Sequence, residues 1–230
     1  MISVLLPIYN GEKFLKQSIE SILNQSFIDF ELLIGFNGTT DNSKEIVNSY
    51  NDLRIRVFDY GNDKGKPKTL NKLLKESKYD WIALQDDDDL WVTNKLEEQI
   101  KYLTEYDVIG TQMQYCDDQN NFISDTPTLK VSDKEIKYLT IHGENQIANS
   151  STLIRKSTII KVGGWDEKLD GLEDFDLWIR IILNGYKFVN INQKMMIHRK
   201  HQNSNFNTMS SVKQNKIMFE ILVKNKIIKY

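Results

Sequence analysis

The sequence has few of the residues that mark secreted, cross-linked or membrane-spanning proteins. Its 230 residues include one cysteine, Cys116, so an intrachain disulfide is excluded, and three prolines that are scattered rather than gathered in a linker. No apolar run approaches the ~20 residues of a membrane-spanning helix, and the opening residues lack the basic start of a signal peptide. We therefore expect a cytoplasmic protein with one domain, long enough to bury a core without covalent cross-links.

Net charge is also small, but it is unevenly distributed. The formal charge is −2, yet the segment from Lys194 to Tyr230 carries eight lysines and arginines against one acidic residue, Glu220. This pattern predicts a basic C-terminal helical tail over 206–230. It is more typical of a solvated amphipathic helix than of contact with the surface of an anionic membrane, which is the alternative. The acidic remainder argues against nucleic acid as a partner.

Short apolar runs alternate with helical patterns in the first half of the chain. Strands are predicted at 3–8, 30–36, 55–59 and 81–85, and their continuous apolar character is typical of strands covered on both faces. The intervening helical patterns imply right-handed crossovers, with helices on both faces of the sheet. The sequence therefore predicts an α/β fold with an open, mainly parallel sheet.

The second half is less regular, which favours a mixed sheet within the same domain. Strands are predicted at 107–116, 149–156, 187–191 and 194–200. Helices are predicted at 172–185, where Gly185 would end the helix, and from about Ser210.

Polar residues follow three of the predicted strands. Tyr9 and Asn10 follow the first, Asn37 the second, and the run Asp86–Asp89 the fourth. In open parallel sheets ligands bind beyond the carboxyl ends of the strands, so we expect these residues to meet at one edge. A tyrosine ring and an amide that both donates and accepts suit a planar nucleotide base.

Four consecutive aspartates repel one another, and a solvated acidic turn accounts for only one or two of them. Mg²⁺ and Mn²⁺ prefer hard oxygen ligands, and Mg²⁺ is commonly held by one or two carboxylates together with substrate phosphates. A calcium loop beginning at Asp86 is disfavoured, because Leu90 would fall on a ligand position and Trp91 on the position of the turn glycine. The cluster therefore predicts a divalent metal site.

Four segments in order along the chain carry a family resemblance. They are "SVLLPIYNGEKFLKQSIESILNQSF", "ALQDDDDLW", "KVGGWDEKLDGLEDFDLWIRI" and "HRKHQNS". Each is a weak signal alone, but together they span about two hundred residues. The chain resembles the inverting glycosyltransferases of family 2, which have the GT-A fold.

This resemblance implies a metal-dependent enzyme of polysaccharide biosynthesis. It would transfer one sugar from a nucleotide-diphosphate sugar, usually linked to UDP, to a hydroxyl on a glycan, lipid or protein, with Mn²⁺ or Mg²⁺ at the diphosphate. Residues 1–205 would form the transferase domain, with 1–115 binding the nucleotide sugar and 116–205 the acceptor. Because the processive members' Gln-x-x-Arg-Trp segment and membrane spans are not found in the sequence, we expect transfer of single residues.

The same resemblance implies a role for individual residues. The donor would be held by Pro7, Tyr9, Asn10, Asn37, Lys68, Asp86 and Asp87. Lys66 is the alternative to Lys68 as a phosphate partner, and either Asp86 or Asp87 would bind the ribose. Asp88 and His201 would hold the metal, and Asp174 would act as the general base.

Two other functions are compatible with parts of the pattern. A catalytically silent sugar-nucleotide-binding protein would have the same donor site, although it would have no need of Asp174. A sugar-phosphate nucleotidyltransferase would have a Gly-rich loop containing arginine after the first strand, where this chain has "PIYNGEKFL". The transferase interpretation is therefore preferred.

Overall fold

The computed structural model describes residues 1–124, 126–169, 171–202 and 209–228. The strands are β1 Ile2–Ile8, β2 Phe30–Phe36, β3 Ile55–Asp59, β4 Trp81–Leu84, β5 Leu90–Trp91, β6 Val108–Cys116, β7 Phe122–Ile123, β8 Leu153–Arg155 and β9 Phe188–Arg199. The α-helices are α1 Leu15–Leu23, α2 Ser43–Asn48, α3 Lys66–Glu76, α4 Lys95–Gln99, α5 Asp133–Ile141, α6 Lys156–Lys161, α7 Glu173–Leu183 and α8 Ser211–Lys224. Short 3-10 helices cover Ile100–Tyr102 and Asn149–Ser151.

The strands form one open sheet in the order β3-β2-β1-β4-β8-β6-β9-β5, with β7 paired to β6. The first four strands are mutually parallel, whereas β8 runs antiparallel to β4. Beyond β8 the sheet is mixed, since β6 and β9 are parallel and β5 is antiparallel to β9. The predicted single-domain α/β fold with an open mixed sheet is confirmed.

Two hydrophobic cores cover the two faces of this sheet. Val4 and Leu6 of β1 belong to the core beneath α1, whereas Leu5 belongs to the core beneath α3 and α7. This division follows from the two-residue period of a strand, which sends neighbouring side chains to opposite faces. Burial on both faces explains why β1 and β2 are apolar along most of their length. The exceptions, Ser3 and Glu31, are bonded to each other, with Ser3 Oγ donating to Glu31 Oε1 at 2.7 Å.

The last described helix packs onto α7. Ile221 and Leu222 of α8 join Phe175 and Ile179 of α7 in a third apolar cluster. Residues 203–208 and 229–230 lie outside the described residues, so the predicted boundary at 205/206 stays a prediction. No helix in the described part of the chain is both long enough and apolar enough to cross a membrane.

Several predicted boundaries differ from the structure. The strand predicted at 149–156 is shortened to β8 because a 3-10 helix occupies Asn149–Ser151. The strands predicted at 187–191 and 194–200 are one strand, β9, whose pairing with β6 absorbs two register shifts. The first helix, α1, begins at Leu15, and Asn10 lies outside it, with a positive φ of 54° and a side chain that bonds to another loop.

Lys95 of α4 is a fully buried lysine. Its Nζ donates to Gln99 Oε1 at 2.8 Å and lies 4.0 Å from the centre of the Trp91 ring. Burial lowers the pKa of Lys95 well below its usual value.

A group whose pKa falls on folding binds more protons in the unfolded chain, so the stability of the wild type should rise with pH. Between the folded and the unfolded pKa of Lys95 this contribution rises by about 1.4 kcal/mol per pH unit, and Lys95→Met should lack it. Urea unfolding of both proteins at pH 7, 8 and 9 measures the difference. Parallel pH dependences would show that Lys95 is charged in the folded state.

Candidate active site

The four aspartates lie in the turn between β4 and β5, and the last of them faces inward. Asp89 is 1% exposed, and its Oδ1 accepts from the backbone N–H of Arg199 at 3.0 Å and lies 3.1 Å from His198 Nδ1. Although burial alone would raise it, the His198 charge and these hydrogen bonds lower the pKa of Asp89. Asp89 is therefore a structural anion rather than a free ligand.

His198 and Arg199 hold this turn from β9. Although burial opposes it, the carboxylate of Asp89 raises the pKa of His198 to about 9. The fully buried Arg199 donates from Nε to the Asp88 carbonyl at 3.0 Å. The turn is thus fixed by the last two residues of β9, which lie in the "HRKHQNS" segment.

The other three aspartates line the edge of the sheet. Asp87 Oδ2 accepts from the N–H of Tyr9 at 3.4 Å, and a Cβ placed on Gly11 would come within 2.5 Å of that oxygen. Burial and the charges of Asp88 and Asp86 raise the pKa of Asp87 well above its usual value. The turn therefore holds more negative charge than its surroundings neutralise.

Asp88 is paired with His201, the two residues predicted to hold a metal. Asp88 Oδ2 lies 2.8 Å from His201 Nε2, and the His201 ring lies 4.9 Å from the Phe14 ring. Burial raises the pKa of Asp88 in spite of this histidine. Within the described ranges no set of three or more His, Cys, Asp or Glu side chains surrounds a common point. This donor set fits a cation that takes its remaining ligands from phosphates and water.

The predicted base-binding residues follow β1 and β2. Asn37 is 3% exposed, and its Oδ1 is buried without a hydrogen-bond partner. Tyr9 is 47% exposed, and Lys64 lies across its ring with Nζ 5.3 Å from the centroid. Pro7 is buried within β1, and Asn10 Oδ1 accepts from the N–H of Thr40 at 2.8 Å, which joins the two loops.

The lysines at the start of α3 point in different directions. Lys68 Nζ bonds to Asp63 Oδ1 at 2.8 Å. Lys66 Nζ lies 2.6 Å from Asp86 Oδ1 and 3.3 Å from Glu173 Oε1. The structure thus brings Lys66 to the acidic turn, whereas a phosphate contact by Lys68 stays a prediction.

Asp174 stands in the first turn of α7, beside Glu173. Its Oδ1 accepts from the N–H of Phe175 at 2.7 Å. Burial and the Glu173 carboxylate, opposed by the charge of Lys66, raise the pKa of Asp174 to about 7. A carboxylate with this pKa is poised to accept a proton near neutral pH.

Sequence reasoning gave no site role to Arg199, Glu173 or Asn149. Asn149 Nδ2 donates to both oxygens of Asp86, at 3.2 and 3.3 Å. Arg199 and Glu173 lie inside the "HRKHQNS" and "LEDFD" segments. Their positions in these segments could therefore have marked them as site residues. Asn149 gives no comparable signal, because its contact joins positions 63 residues apart.

The family model for Glycosyl transferase family 2 matches residues 3–163. The chain is 31% identical to an uncharacterized glycosyltransferase of Methanocaldococcus jannaschii, across 94% of this chain and 76% of the relative. It is 30% identical to the O-antigen biosynthesis glycosyltransferase WbnJ of Escherichia coli, across 89% and 81%. It is 27% identical to the UDP-Glc:alpha-D-GlcNAc-diphosphoundecaprenol beta-1,3-glucosyltransferase WfaP of Escherichia coli, across 89% and 79%.

Solved structures share the fold. S. aureus TarS 1-349 in complex with UDP-GlcNAc superposes with a TM-score of 0.78 at 19% identity, across 97% of this chain and 66% of that chain. The mannosyltransferase PcManGT from Pyrobaculum calidifontis, in complex with GDP-Man and Mn2+, gives 0.70 at 14% identity, across 98% and 68%. This chain thus spans about two thirds of each neighbour. The fold is of the GT-A type, and the family match shows that the chain belongs to glycosyltransferase family 2.

Proposed function

We propose that this glycosyltransferase is metal-dependent and inverting, and that it transfers one sugar from a nucleotide-diphosphate sugar to a hydroxyl acceptor. The observation that carries the proposal is the Lys66 bridge. Lys66 contacts both Asp86 and Glu173, so Asp174, the residue after Glu173, lies near the aspartates that follow β4. A candidate base and a candidate diphosphate site therefore lie side by side.

The reaction needs one proton acceptor. As the acceptor oxygen bonds to the anomeric carbon of the sugar, its proton passes to Asp174 and the bond from that carbon to the diphosphate breaks. A nucleoside diphosphate is a stable leaving group, so a protein acid is not required on its side. In-line attack from the opposite face inverts the anomeric centre.

The metal would be held by Asp88 and His201. When bound, it supplies positive charge that offsets the charge developing on the diphosphate. Mn²⁺ and Mg²⁺ both suit such a site because the phosphate oxygens complete it. The structure of PcManGT in complex with GDP-Man and Mn2+ supports the use of a divalent metal.

UDP is the donor nucleotide we favour. The unpartnered Oδ1 of Asn37 offers an acceptor to the ring N–H of uracil, and the Tyr9 ring offers a stacking face. Asp86 or Asp87 would bind the ribose, and Pro7 and Asn10 would shape the loop around the base. The complex of TarS with UDP-GlcNAc and the UDP-Glc donor in the name of WfaP support a UDP-sugar.

A glycan or a lipid-linked sugar is the acceptor class we favour. The name of WfaP describes an acceptor of the diphosphoundecaprenol type. Cytoplasmic location and peripheral membrane contact through the basic residues of 206–230 stay predictions.

Donor binding should depend on Asp88 and on metal. With a matching sugar nucleotide at about 100 times its Kd and with Mn²⁺ present, the unfolding free energy of the wild type should rise by about 2.7 kcal/mol. Asp88→Ala should lose most of this increase, because the phosphates lose the cation that joins them to the turn. Thermal shift across a panel of nucleotide sugars, with Mn²⁺ and with EDTA, measures the effect.

Asp118→Ala is the matched control, since the ion pair described for Asp118 is with the exposed Lys13. Stabilisation that is equal in EDTA, or equal in Asp88→Ala, would refute the metal assignment. Donor binding with neither transfer to any acceptor nor slow donor hydrolysis would favour the silent binding protein.

A further inference from the structure

One ammonium group joins three parts of the fold at the candidate active site. Lys66 is the first residue of α3, and its side chain reaches the turn after β4 and the first turn of α7. Nζ lies 2.6 Å from Asp86 Oδ1 and 3.3 Å from Glu173 Oε1. The side chain is 29% exposed, so the contact lies at the wall of the site rather than in bulk solvent.

The groups that face this ammonium are mostly carboxylates. Asp86, Glu173 and Asp174 all raise the pKa of Lys66, against the opposing effect of burial. Asp86 is further held by Asn149, and Glu173 Oε2 accepts from the N–H of Gly171 at 2.9 Å. Asp86 and Glu173 thus each accept a hydrogen bond from a second donor besides their contact with Lys66.

The start of α3 suits this role. Gly65 precedes the helix with a φ of 126°, a conformation that other residues rarely adopt. Pro67 is buried in the first turn, where its missing N–H is no loss. The direction in which Lys66 leaves the helix is therefore set by its neighbours.

We infer that Lys66 is a positioning residue for the transfer reaction. Its ammonium group joins the aspartate turn between β4 and β5 to the start of α7, and it sets the place and charge of the Asp174 carboxylate. This inference rests on the proposed function. In this role Lys66 acts on the general base, Asp174, whereas a donor-binding lysine would contact the phosphates of the donor.

An electrostatic consequence follows. The charged groups that act on Asp174 are Glu173 on its own helix, Lys66 from α3 and Asp86 from the turn after β4. Of these only Lys66 favours the ionised carboxylate, so its removal leaves two like charges unopposed. The pKa of Asp174 should then rise above about 7.

The test compares Lys66→Met, Lys66→Arg and Lys72→Met. Lys72 is a matched control, because it lies on the same helix and forms an ion pair with Asp63 away from the acidic turn. In Lys66→Met the acid limb of the kcat profile should move up by about one pH unit. It should return towards the wild-type position in Lys66→Arg, and it should be unmoved in Lys72→Met.

A second measurement does not need turnover. Unfolding free energies are measured against pH for wild type and Lys66→Met, each alone and with Asp174→Asn, so that each difference isolates the titration of Asp174. The midpoint of that titration should be about one pH unit higher without Lys66.

The outcomes distinguish failure of the role inferred for Lys66 from failure of the proposed function. An unmoved midpoint overturns the inference, as does a Lys66→Met enzyme with a raised donor KM and an unmoved acid limb. If the midpoint moves but wild type transfers no sugar from any donor, the proposed function is wrong and the role of Lys66 in the reaction falls with it.

Discussion

Asp174→Asn should slow sugar transfer by about 10²-fold to 10⁴-fold while donor binding is retained. A positioned general base contributes about 10²-fold to 10⁴-fold to rate, and an amide in its place cannot take the acceptor proton. The donor site should survive, because the contacts described for Asp174 are to its own helix rather than to the aspartate turn. Single-turnover transfer and donor-induced thermal shift measure the two properties separately.

The pH dependence of the wild type gives an independent check on this assignment. The pKa of Asp174 is about 7, so kcat should fall about tenfold per unit below that pH as the carboxylate is protonated, and level off above it. Asp166→Asn is the matched control, since Asp166 instead pairs with Lys224 at 2.6 Å. Transfer that persists in Asp174→Asn with an unchanged profile would remove Asp174 from the mechanism.

The same substitution should increase stability above neutral pH. A carboxyl whose pKa rises on folding adds stability at low pH, and this contribution is lost as pH rises through the folded pKa, here about 7. The asparagine variant lacks this loss, so at pH 8 its unfolding free energy should exceed that of wild type by on the order of 4 kcal/mol. At pH 4 the two should be similar, which urea unfolding at both values measures.

The fold could be predicted where burial leaves a simple signature. The run predicted at 30–36 coincides with β2, in which every residue is buried. The run predicted at 55–59 has the bounds of β3, but the expectation that it is covered on both faces is wrong, because β3 is an edge strand whose residues are partly buried or exposed. β5 could not be predicted in this way. It has only two residues and follows four aspartates, and its pairing with β9 joins positions more than a hundred residues apart.

The candidate site likewise has residues that the sequence could place and residues that it could not. The aspartates, Asn37 and Tyr9 could be placed at one edge because each follows a strand, and strand ends converge in a parallel sheet. The choice between Lys66 and Lys68 could not be made, since both fit the first turn of a helix. Only the positions of α7 and of the turn after β4 show that Lys66 reaches Asp86 and Glu173, whereas Lys68 pairs with Asp63.

Arg199 explains why the acidic turn keeps its shape. Its Nη1 donates to Asn120 Oδ1 at 2.7 Å and its Nη2 to Gln17 Oε1 at 2.9 Å, besides the Nε bond to the Asp88 carbonyl. The guanidinium carbon lies 4.4 Å from the centre of the Phe14 ring. One fully buried cation thus joins α1, the aspartate turn and the loop after β6.

Replacing Arg199 with methionine should therefore destabilise the protein by about 3–5 kcal/mol, because it leaves the Asp88 carbonyl and the side-chain oxygens of Gln17 and Asn120 without their buried donor. Arg54→Met is the matched control. Arg54 also stacks on a phenylalanine, Phe30, and pairs with Asp52, but its side chain is 27% exposed, so its loss should cost about 1 kcal/mol or less. Urea unfolding measures both. Equal midpoints for the two variants would mean that the Arg199 guanidinium does not hold the turn, and Arg199 would then have no part in placing Asp88 for the proposed metal.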